Sequence, residues 1–398
     1  MMTNDEKRSI PMSSPDLTDL ERDAVAAVLQ TDRLAMGPQI RGFEEEMAAY
    51  VGLKHAIAVS SGTTGLHLCI RAAGIEARDL VLTTPFSFIS SSNVILFEHA
   101  TPVFVDVDPV TGNIDPDLAA EAIRDLLAGE SKAERWLPRK GASSAGSLKA
   151  MLPVDVFGQP ADYDVLENLA EEHSLALIED SCEALGSEYK GRKAGTFGDA
   201  GVFAFYPNKQ MTTGEGGIVV TNGDDWASMI RSLSNQGRAP QDTWLEHTFL
   251  GYNYRMTEMS AALGRAQLSR LGEMMDKRTR VAGWYEERLA NLDRVRTLTI
   301  LPETSKMSWF VYVVRFDEDV DRTAVINELD HRGVPSRPYF SPIHLQPYFR
   351  STFGYREGDY PVTEKLGSCN LAIPFSSVMT EDDVGYVCRA LQASLGSV

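Results

Sequence analysis

Lys209 lies in a sequence context that could make its side-chain amine reactive. Lys209 follows the aromatic run 203–208 and precedes the glycine-rich turn 214–217. Glycines permit close backbone approach and positive φ angles, and an amine withdrawn from water favours its uncharged, nucleophilic form. The pattern indicates a lysine that forms a Schiff base with a carbonyl compound. The alternative is a lysine solvated at the surface, as most isolated lysines are.

A carboxylate follows the apolar run 175–179. Asp180 would lie at the carboxyl end of a strand, the edge where open α/β sheets bind ligands. There it could pair with a protonated ring nitrogen and favour the charged ring, at about 1.4 kcal/mol for each unit of pKa change. The alternative is an ordinary helix N-cap, a position that aspartate fills equally well.

The segment 60–65, Ser-Ser-Gly-Thr-Thr-Gly, follows one predicted strand and opens a predicted helix. The first turn of a helix presents free backbone N–H groups and the positive end of the helix dipole, so it suits a phosphate. The spacing matches neither a Walker loop nor the GxGxxG pattern. Taken alone, the segment fits an ordinary turn and N-cap as well.

These three segments must be positioned by secondary structure, and the pattern of apolar residues predicts which elements do so. Short β-branched runs recur at 57–60, 80–84, 102–107, 151–157, 175–179, 201–205 and 218–221. Helical patterns such as 65–73 and 164–173 separate several of them. Strands that alternate with helices indicate an α/β domain with a largely parallel sheet.

The pattern changes after Met256. A long helical stretch runs towards Leu292, and the remaining pattern predicts a strand at 309–315 and helices at 323–331 and 382–395. We therefore expect a large α/β domain at 1–265 and a smaller α+β domain at 266–398. The length of 398 residues agrees with two domains, because single cores stop growing at roughly 250–300 residues. The polar segment 129–149 is expected to be a solvated surface loop.

Composition argues against several functions. The formal net charge of −18 disfavours binding to nucleic acid, which requires clustered Lys and Arg. The four cysteines form no CxxC pair, which argues against a zinc knuckle or a disulfide framework and fits the cytoplasm. The histidines form no HExxH pair, so we expect no metal site. The sequence has no apolar run of membrane-spanning length, so we expect no membrane partner.

Taken together and in order, these segments resemble the DegT/DnrJ/StrS family of sugar aminotransferases. The resemblance rests on Gly62-Thr63, on Asp180, and on the run 205–209 with the turn 214–217. It covers nearly the whole chain. Further matching segments are 37–38 (Gly-Pro), 43–44 (Phe-Glu), 157–160 (Phe-Gly-Gln-Pro), 251–256 (Gly-Tyr-Asn-Tyr-Arg-Met) and 342–345 (Pro-Ile-His-Leu).

The resemblance implies the fold type I class of enzymes that use pyridoxal phosphate (PLP), within the aspartate aminotransferase superfamily. This α/β fold has a large domain with a seven-stranded, mainly parallel sheet and a smaller C-terminal α+β domain. The expected cofactor is pyridoxal 5'-phosphate. The resemblance also implies a homodimer whose active sites are shared between the subunits.

The family's functional residues can be placed on this chain through the matching motifs. Lys209 would hold the cofactor as a Schiff base and would later carry a proton between the substrate α-carbon and C4′ of the cofactor. Asp180 would hold the pyridinium nitrogen, and Phe88 would stack on the ring. Gly62 and Thr63 would bind the phosphate.

Three further residues are expected to contribute. Asn253 would reach the phosphate of the cofactor in the neighbouring subunit. Arg337 and His344 lie in an aromatic, proline-stiffened loop of the small domain. There they either contact the substrate or serve in packing.

Two residues depart from the family pattern. Many members have a serine that hydrogen-bonds the phosphate where this chain has Ala204, so that contact is absent or replaced. The usual Gln or His near the 3′ oxygen of the cofactor is Glu183 here. A hydrogen bond at that oxygen would need a protonated carboxyl or a proton from the phenol itself.

The implied reaction is transamination. An amino acid, L-glutamate by resemblance, would donate the amino group, and a keto sugar attached to a nucleotide diphosphate would receive it. Two alternatives stay open: a PLP-binding regulatory protein without turnover, and a PLP-dependent sugar dehydratase or lyase. Lys209 argues against the dehydratases of the family, which carry histidine at that position.

Overall fold

The computed structural model describes residues 8–141, 146–239 and 246–397. The helices are α1 Asp19–Leu29, α2 Pro38–Val51, α3 Gly62–Ala72, α4 Ser90–Phe97, α5 Pro116–Ala128, α6 Glu130–Glu134, α7 Tyr163–His173, α8 Asp224–Ser234, α9 Glu258–Ser269, α10 Leu271–Leu289, α11 Arg322–His331, α12 Pro347–Phe353, α13 Pro361–Cys369 and α14 Glu381–Leu395. The strands are β1 His55–Val59, β2 Leu80–Thr83, β3 Thr101–Phe104, β4 Leu148–Leu152, β5 Ala176–Asp180, β6 Glu188–Tyr189, β7 Arg192–Lys193, β8 Ala200–Ala204, β9 Gly217–Thr221, β10 Val295–Thr297, β11 Thr304–Lys306, β12 Tyr312–Phe316, β13 Arg337–Pro338 and β14 Asn370–Ile373. Within these ranges, no helix is both long and apolar enough to cross a membrane.

Seven strands form the central sheet in the order β1-β9-β8-β5-β4-β2-β3. Neighbouring strands from β8 to β3 are parallel, whereas β9 runs antiparallel to both β1 and β8. The direction reverses at β9 because the chain returns from β8 through a turn rather than through a crossover helix. The predicted seven-stranded, mainly parallel sheet is therefore confirmed.

Helices cover the sheet closely. Strands β2, β3 and β9 are buried at every residue, as expected for strands that are covered on both faces. Helix α3 packs on β8 and β9, α5 on β4, and α7 on β5. The carboxyl ends of β2, β4, β5 and β8 meet at one edge of the sheet, because these strands are parallel. A ligand site is expected at that edge.

The C-terminal part of the chain forms a second, antiparallel sheet in the order β10-β12-β14-β13. Helix α14 packs on α10 and α11 beside it, which agrees with the predicted small α+β domain. The N-terminal segment also reaches this unit. Ile10 lies in its apolar core, and the Ile10 amide donates to the Gly333 carbonyl at 3.0 Å.

The long helix predicted after Met256 is divided in two. Helix α9 ends at Ser269 and α10 begins at Leu271, with Arg270 between them. The Arg270 guanidinium binds the carboxylates of Asp16 and Glu21, at 3.0 and 2.8 Å. Helix α9 packs on α1 and α2, whereas α10 packs on α14. The boundary near residue 265 remains a prediction, close to the point where the packing partners change.

The segment 129–149 is only partly the solvated loop that its composition predicts. It contains α6 and the first two residues of β4. Between these elements, Arg139 forms an ion pair with Asp359 beyond α12, and the Lys140 amide donates to the Phe353 carbonyl at 3.1 Å. Most residues from 131 to 141 are exposed, so the predicted solvation holds there, whereas the prediction of a loop is wrong for α6 and for the start of β4. Residues 142–145 lie outside the described part of the chain.

Candidate active site

A cavity of about 490 Å³ opens at the carboxyl edge of the central sheet. Its walls come from the loops after β2, β5 and β8, from the start of α3, and from segments at 310 and 339–340. The cavity brings together six residues that the sequence predicts for the site: Gly62, Thr63, Phe88, Asp180, Glu183 and Lys209.

The start of α3 forms one end of the cavity. Ser61 caps the helix: its Oγ accepts from the Thr64 amide at 3.1 Å, and the Thr64 Oγ1 accepts from the Ser61 amide at 3.0 Å. The amides of Gly62 and Thr63, at the first two helical positions, have no acceptor within the helix. A helix start of this kind binds anions, and phosphate in particular.

Glycine is required at the first helical position because α3 approaches β8 closely. A Cβ on Gly62 would lie 2.7 Å from the Ala204 Cβ and 2.9 Å from the Cys182 Sγ. Beside it, the Thr63 hydroxyl lies 2.9 Å from the Ser90 hydroxyl. Ser90 was not predicted, although it also lines the cavity.

The turn between β8 and β9 carries Lys209. The Lys209 amide donates to the Tyr206 carbonyl at 2.9 Å. On the far side of the turn, Gly217 passes so close to α3 that a Cβ there would lie 2.6 Å from the Ser61 carbonyl carbon. The glycine-rich turn therefore places Lys209 beside the start of α3.

The Lys209 side chain is largely buried, with 13% of it exposed. Its Nζ lies 3.8 Å from the Glu183 Oε1 and 3.8 Å from the centre of the Phe310 ring. A carboxylate and an aromatic face thus surround the amine. This amine is available for covalent chemistry with a ligand in the cavity.

Asp180 is the last residue of β5, and it is buried. The Cys182 amide donates to its Oδ1 at 3.3 Å. Burial raises the pKa of Asp180, while hydrogen bonds from Cys182 and the charge of Lys209 act in the opposite direction. A cationic group of a ligand would stabilise the charged form of this carboxylate.

Glu183 lies on the same loop, and one of its carboxylate oxygens accepts a hydrogen bond. Its Oε2 accepts from the Phe157 amide at 2.9 Å, and its Oε1 faces Lys209. Burial raises the pKa of Glu183 to about 7, although the charge of Lys209 and the bond from Phe157 lower it. Burial thus favours the protonated form of this carboxyl, whereas the charge of Lys209 favours the ionised form.

A further buried acid supports the strand end that carries Asp180. Asp155 accepts hydrogen bonds from the Ser181 hydroxyl at 2.6 Å, the Tyr163 hydroxyl at 2.7 Å and the Ala161 amide at 3.0 Å. Burial raises the pKa of Asp155 to about 6, against the effect of these bonds. No motif marks Asp155, whose partners come from two segments, 161–163 at the start of α7 and Ser181 after β5.

Aromatic residues cover the cavity. Phe88 lines it with 64% of its surface exposed. Phe310, Tyr339 and Phe340 line it from the C-terminal part of the chain. Burial raises the pKa of Tyr339 to about 12, and the charge of Glu183 contributes to that rise. The sequence analysis misses these three residues, since their aromatic types also fit ordinary packing.

Three predicted residues do not line this cavity. Asn253 is exposed and forms a β-bridge with Asn235. Arg337 is exposed, and its guanidinium donates to the Ser336 carbonyl at 2.7 Å.

His344 is completely buried, and its Nε2 lies 2.9 Å from the Glu364 Oε1. It also contacts the rings of Tyr355 and Tyr360. This placement favours the packing interpretation for His344. The roles of Asn253 and Arg337 remain predictions.

A family model described as the DegT/DnrJ/EryC1/StrS aminotransferase family matches residues 15–392. The chain belongs to this family. It is 38% identical to the GDP-perosamine synthase of Caulobacter vibrioides over 97% of this chain and 98% of the relative. It is 34% identical to the spore coat polysaccharide biosynthesis protein SpsC of Bacillus subtilis, over 98% of each chain.

A solved structure agrees with the sequence relatives. PseC of Helicobacter pylori, an aminotransferase involved in the biosynthesis of pseudoaminic acid, matches with a TM-score of 0.87 and 26% identity, over 98% of this chain and 100% of that one. The resemblance and the fold class predicted from the sequence are confirmed. The protein is a sugar aminotransferase of the PLP-dependent class.

The residues of the cavity fit the cofactor that DegT/DnrJ/EryC1/StrS aminotransferases use. PLP has a phosphate, a ring nitrogen and an aldehyde. The start of α3 suits the phosphate, Lys209 suits the aldehyde, and Asp180 suits a protonated ring nitrogen. Gly62 and Thr63, whose amides have no acceptor within the helix, both line the cavity where the anion would lie.

Proposed function

We propose that this enzyme moves an amino group from an amino acid, L-glutamate in the first instance, to a nucleotide-linked keto sugar, with pyridoxal 5'-phosphate bound at Lys209. The observation that carries the proposal is the convergence of Lys209, Asp180 and the start of α3 in one cavity. The name of the Caulobacter relative, GDP-perosamine synthase, supports a sugar attached to a nucleotide.

Each group in the cavity has a separate task in this proposal. Lys209 binds the cofactor covalently and moves a proton at the substrate α-carbon. Asp180 keeps the ring nitrogen protonated. The amides of Gly62 and Thr63 hold the phosphate, and Phe88 covers the ring. The cofactor supplies the electron sink that makes the α-proton labile.

Glu183 fits the same proposal through its protonation state. A pKa of about 7 means that a substantial share of the carboxyl is protonated at neutral pH. A protonated carboxyl donates a hydrogen bond, as the glutamine or histidine of other family members does at the 3′ oxygen. Glu183 thereby provides this hydrogen bond from the sequence position where other members have glutamine or histidine.

The test of the proposal begins with the location of the cofactor. The purified protein should be yellow, and borohydride reduction followed by peptide mapping should place the adduct on Lys209. In a separate sample that has not been reduced, glutamate should change the absorbance of the bound cofactor. Incubation with a panel of nucleotide-linked keto sugars should then give an amino sugar that is detected by its mass. An adduct on another lysine contradicts the assignment of the site.

The rival functions predict other outcomes of the same experiment. A regulatory protein would bind PLP but show no half-reaction with glutamate. A lyase or dehydratase would release pyruvate, ammonia, sulfide or a dehydrated sugar instead of an amino sugar. Product analysis distinguishes these alternatives.

We infer also that the enzyme acts as a homodimer in which Asn253 of each chain serves the site of the other. The exposure of Asn253 outside its own cavity supports this inference. Exposed apolar side chains lie on the same segment: Phe249 is 40% exposed and Leu250 is 84% exposed. Such residues are typical of a surface covered by a partner.

Mixed dimers test the shared site. A heterodimer of a Lys209→Ala chain and an Asn253→Ala chain has one site with both defects and one site with neither. If both parents are inactive, the heterodimer should recover up to about half of the wild-type activity, provided the sites act independently. Asn253→Asp, which adds a charge near the phosphate, replaces Asn253→Ala if that variant keeps activity. Folded, dimeric and inactive mixed dimers would contradict the shared assignment.

A further inference from the structure

Arg278 is a buried cation beside the Lys209 turn that the proposed chemistry does not use. It lies on α10 and is 2% exposed. Its Nη2 donates to the Lys209 carbonyl at 2.7 Å and to the Asn208 carbonyl at 3.4 Å. Its Nη1 donates to the carbonyls of Trp309 and Phe310 at 3.0 and 3.2 Å. One guanidinium therefore joins two segments that are far apart in the sequence.

The acceptors of Arg278 are neutral. The hydrogen bonds and ion pairs described for its side chain, within the ranges that the structure covers, involve backbone carbonyls and no carboxylate. Burial lowers the pKa of Arg278 to about 10, against the opposite effect of the charge of Asp16. The guanidinium carbon also lies 5.5 Å from the centre of the Phe375 ring. Because burying a cation without an ion pair costs free energy, the carbonyls that accept from Arg278 are what hold it at this position.

The two segments that Arg278 joins carry side chains that meet in the cavity. The Lys209 Nζ lies 3.8 Å from the centre of the Phe310 ring. Lys209 belongs to the turn after β8, whereas Phe310 precedes β12 of the C-terminal sheet. Fixing their two backbones to one group fixes the distance between the amine and its aromatic cover.

We propose that Arg278 is a positioning residue that holds the backbones of Lys209 and Phe310 together and so keeps the Lys209 amine covered and aimed into the cavity. The importance of this position for catalysis rests on the proposed function of Lys209.

Lysine cannot replace arginine in this role. The guanidinium is a planar fork whose nitrogens bond several carbonyls at fixed angles, whereas an ammonium is a single point on a flexible stem. Arg278→Lys keeps the charge and most of the apolar stem but loses the fork. The variant therefore separates positioning from the presence of a positive charge.

The experiment measures the exposure of Lys209 in protein freed of cofactor. Reductive methylation for a series of times, followed by peptide mass mapping, gives the labelling rate of Lys209 relative to that of Lys149, which is exposed on β4. Arg278→Lys should label at Lys209 at least about threefold faster than the wild type. Phe310→Leu, which removes the ring from the other side of the contact, should increase the rate in the same way.

Tyr285→Phe is the matched control on the same helix. Tyr285 is completely buried, and its hydroxyl donates to the Pro374 carbonyl at 2.6 Å, away from the Lys209 turn. This variant should lower the thermal midpoint and leave the labelling of Lys209 unchanged. A second readout is the rate at which added pyridoxal phosphate develops its bound absorbance, which should fall at least about tenfold in Arg278→Lys and stay unchanged in Tyr285→Phe.

The outcomes separate the two proposals. Labelling of Lys209 in Arg278→Lys that equals the wild type overturns the positioning role, whatever Phe310→Leu shows, because Phe310→Leu tests the aromatic cover and leaves the bonds of Arg278 to backbone carbonyls in place. If Arg278→Lys does not fold, Arg278→Gln, which also lacks the fork, is compared with Tyr285→Phe in its place. If the wild type takes up no cofactor at Lys209, the proposed function fails, while the labelling of the cofactor-free protein still confirms or overturns the role of Arg278.

Discussion

The two ends of the cavity are built in different ways. The end that we propose for the phosphate, called the phosphate end, is a helix start in which the short contiguous segment 61–64 provides its own cap and its own free amides. The reacting end consists of three ionisable side chains, Asp180, Glu183 and Lys209, which two separate loops bring together. The phosphate end depends on the shape of the backbone, whereas the reacting end depends on buried charge. Substitutions at the two ends should therefore affect different measurements.

Asp180→Asn should have the largest effect, and on rate rather than on binding. A neutral amide does not stabilise a protonated ring nitrogen, and breaking a buried charge pair costs about 3–5 kcal/mol. The half-reaction with glutamate should slow by roughly a hundredfold to a few thousandfold, as measured by stopped-flow absorbance, with the cofactor still bound.

Asp162→Asn is the control for this change. Asp162 caps α7, and asparagine caps helices about as well as aspartate, so the control should keep its rate. A near-normal half-reaction in Asp180→Asn would remove Asp180 from the mechanism.

Gly62→Ala should show the opposite behaviour. The added Cβ would lie 2.7 Å from the Ala204 Cβ, so the start of α3 must move. Overpacking of this kind costs about 1–3 kcal/mol, which corresponds to roughly five- to hundredfold weaker binding of the cofactor. Equilibrium titration of the cofactor-free protein measures it, and the half-reaction at saturating cofactor should change little.

A second glycine provides the control. A Cβ on Gly272 of α10 would have nothing within 4 Å, so Gly272→Ala should be neutral or stabilise by about 0.5–1 kcal/mol. If Gly62→Ala binds the cofactor as the wild type does, the start of α3 is not the phosphate site.

The same difference explains how much the sequence could predict. The phosphate end is local: a strand, a cap and a helix start are contiguous from residue 55 to residue 72, and each has its own sequence signal. The strands of the central sheet were predictable for the same reason. Asp180 and Lys209 were found because Asp180 ends one buried strand and Lys209 lies in the turn that follows another.

Other parts of the site depend on distant contacts. Arg278 lies in a charged stretch of α10 that resembles a solvated helix face, and only the packing against residues 208–209 and 309–310 buries it. Asp155 takes its partners from two segments, 161–163 and Ser181, and the second lies 26 residues away in the sequence. The break at Arg270 was hidden as well, since helical periodicity continues through it, and Arg270 makes its ion pairs there with Asp16 and Glu21, which are far away in the sequence.

Glu183→Gln sharpens the comparison because it tests charge at the reacting end without a change of shape. Burial raises the pKa of Glu183 from its ordinary value of 4.5 to about 7. The folded protein therefore holds a proton that the unfolded chain has lost between those values, and stability falls as pH rises through that window. Glutamine does not titrate. The decrease in the free energy of unfolding with rising pH should therefore be smaller in the cofactor-free variant, by on the order of 1–2 kcal/mol.

Urea unfolding of both cofactor-free proteins at about pH 5 and about pH 8 measures the difference. The buried acid Glu179, whose pKa burial raises to about 8, titrates in both proteins and cancels in the comparison. Asp155, whose pKa burial raises to about 6, is coupled by charge to Glu183, so the comparison also includes the smaller effect of Glu183→Gln on Asp155. The glutamine oxygen can still accept from the Phe157 amide. Equal pH dependence in the two proteins would show that Glu183 does not hold the extra proton.

Ala204→Ser should have the smallest effect, and it returns to the phosphate end. The added hydroxyl would contribute at most one hydrogen bond to the phosphate, worth about 0.5–1.5 kcal/mol net, so cofactor binding should be unchanged or up to roughly tenfold tighter. The gain is limited because Ala204 lies against Gly62, where a Cβ would approach it to 2.7 Å, and the hydroxyl must point away from that contact.

Ala204→Cys is the control, since a thiol has a similar shape but bonds only weakly. Tighter binding with serine and not with cysteine places the phosphate within reach of residue 204. Weaker binding with both shows that the helix start and β8 already fill the space, and that the phosphate lies further along the free amides of α3.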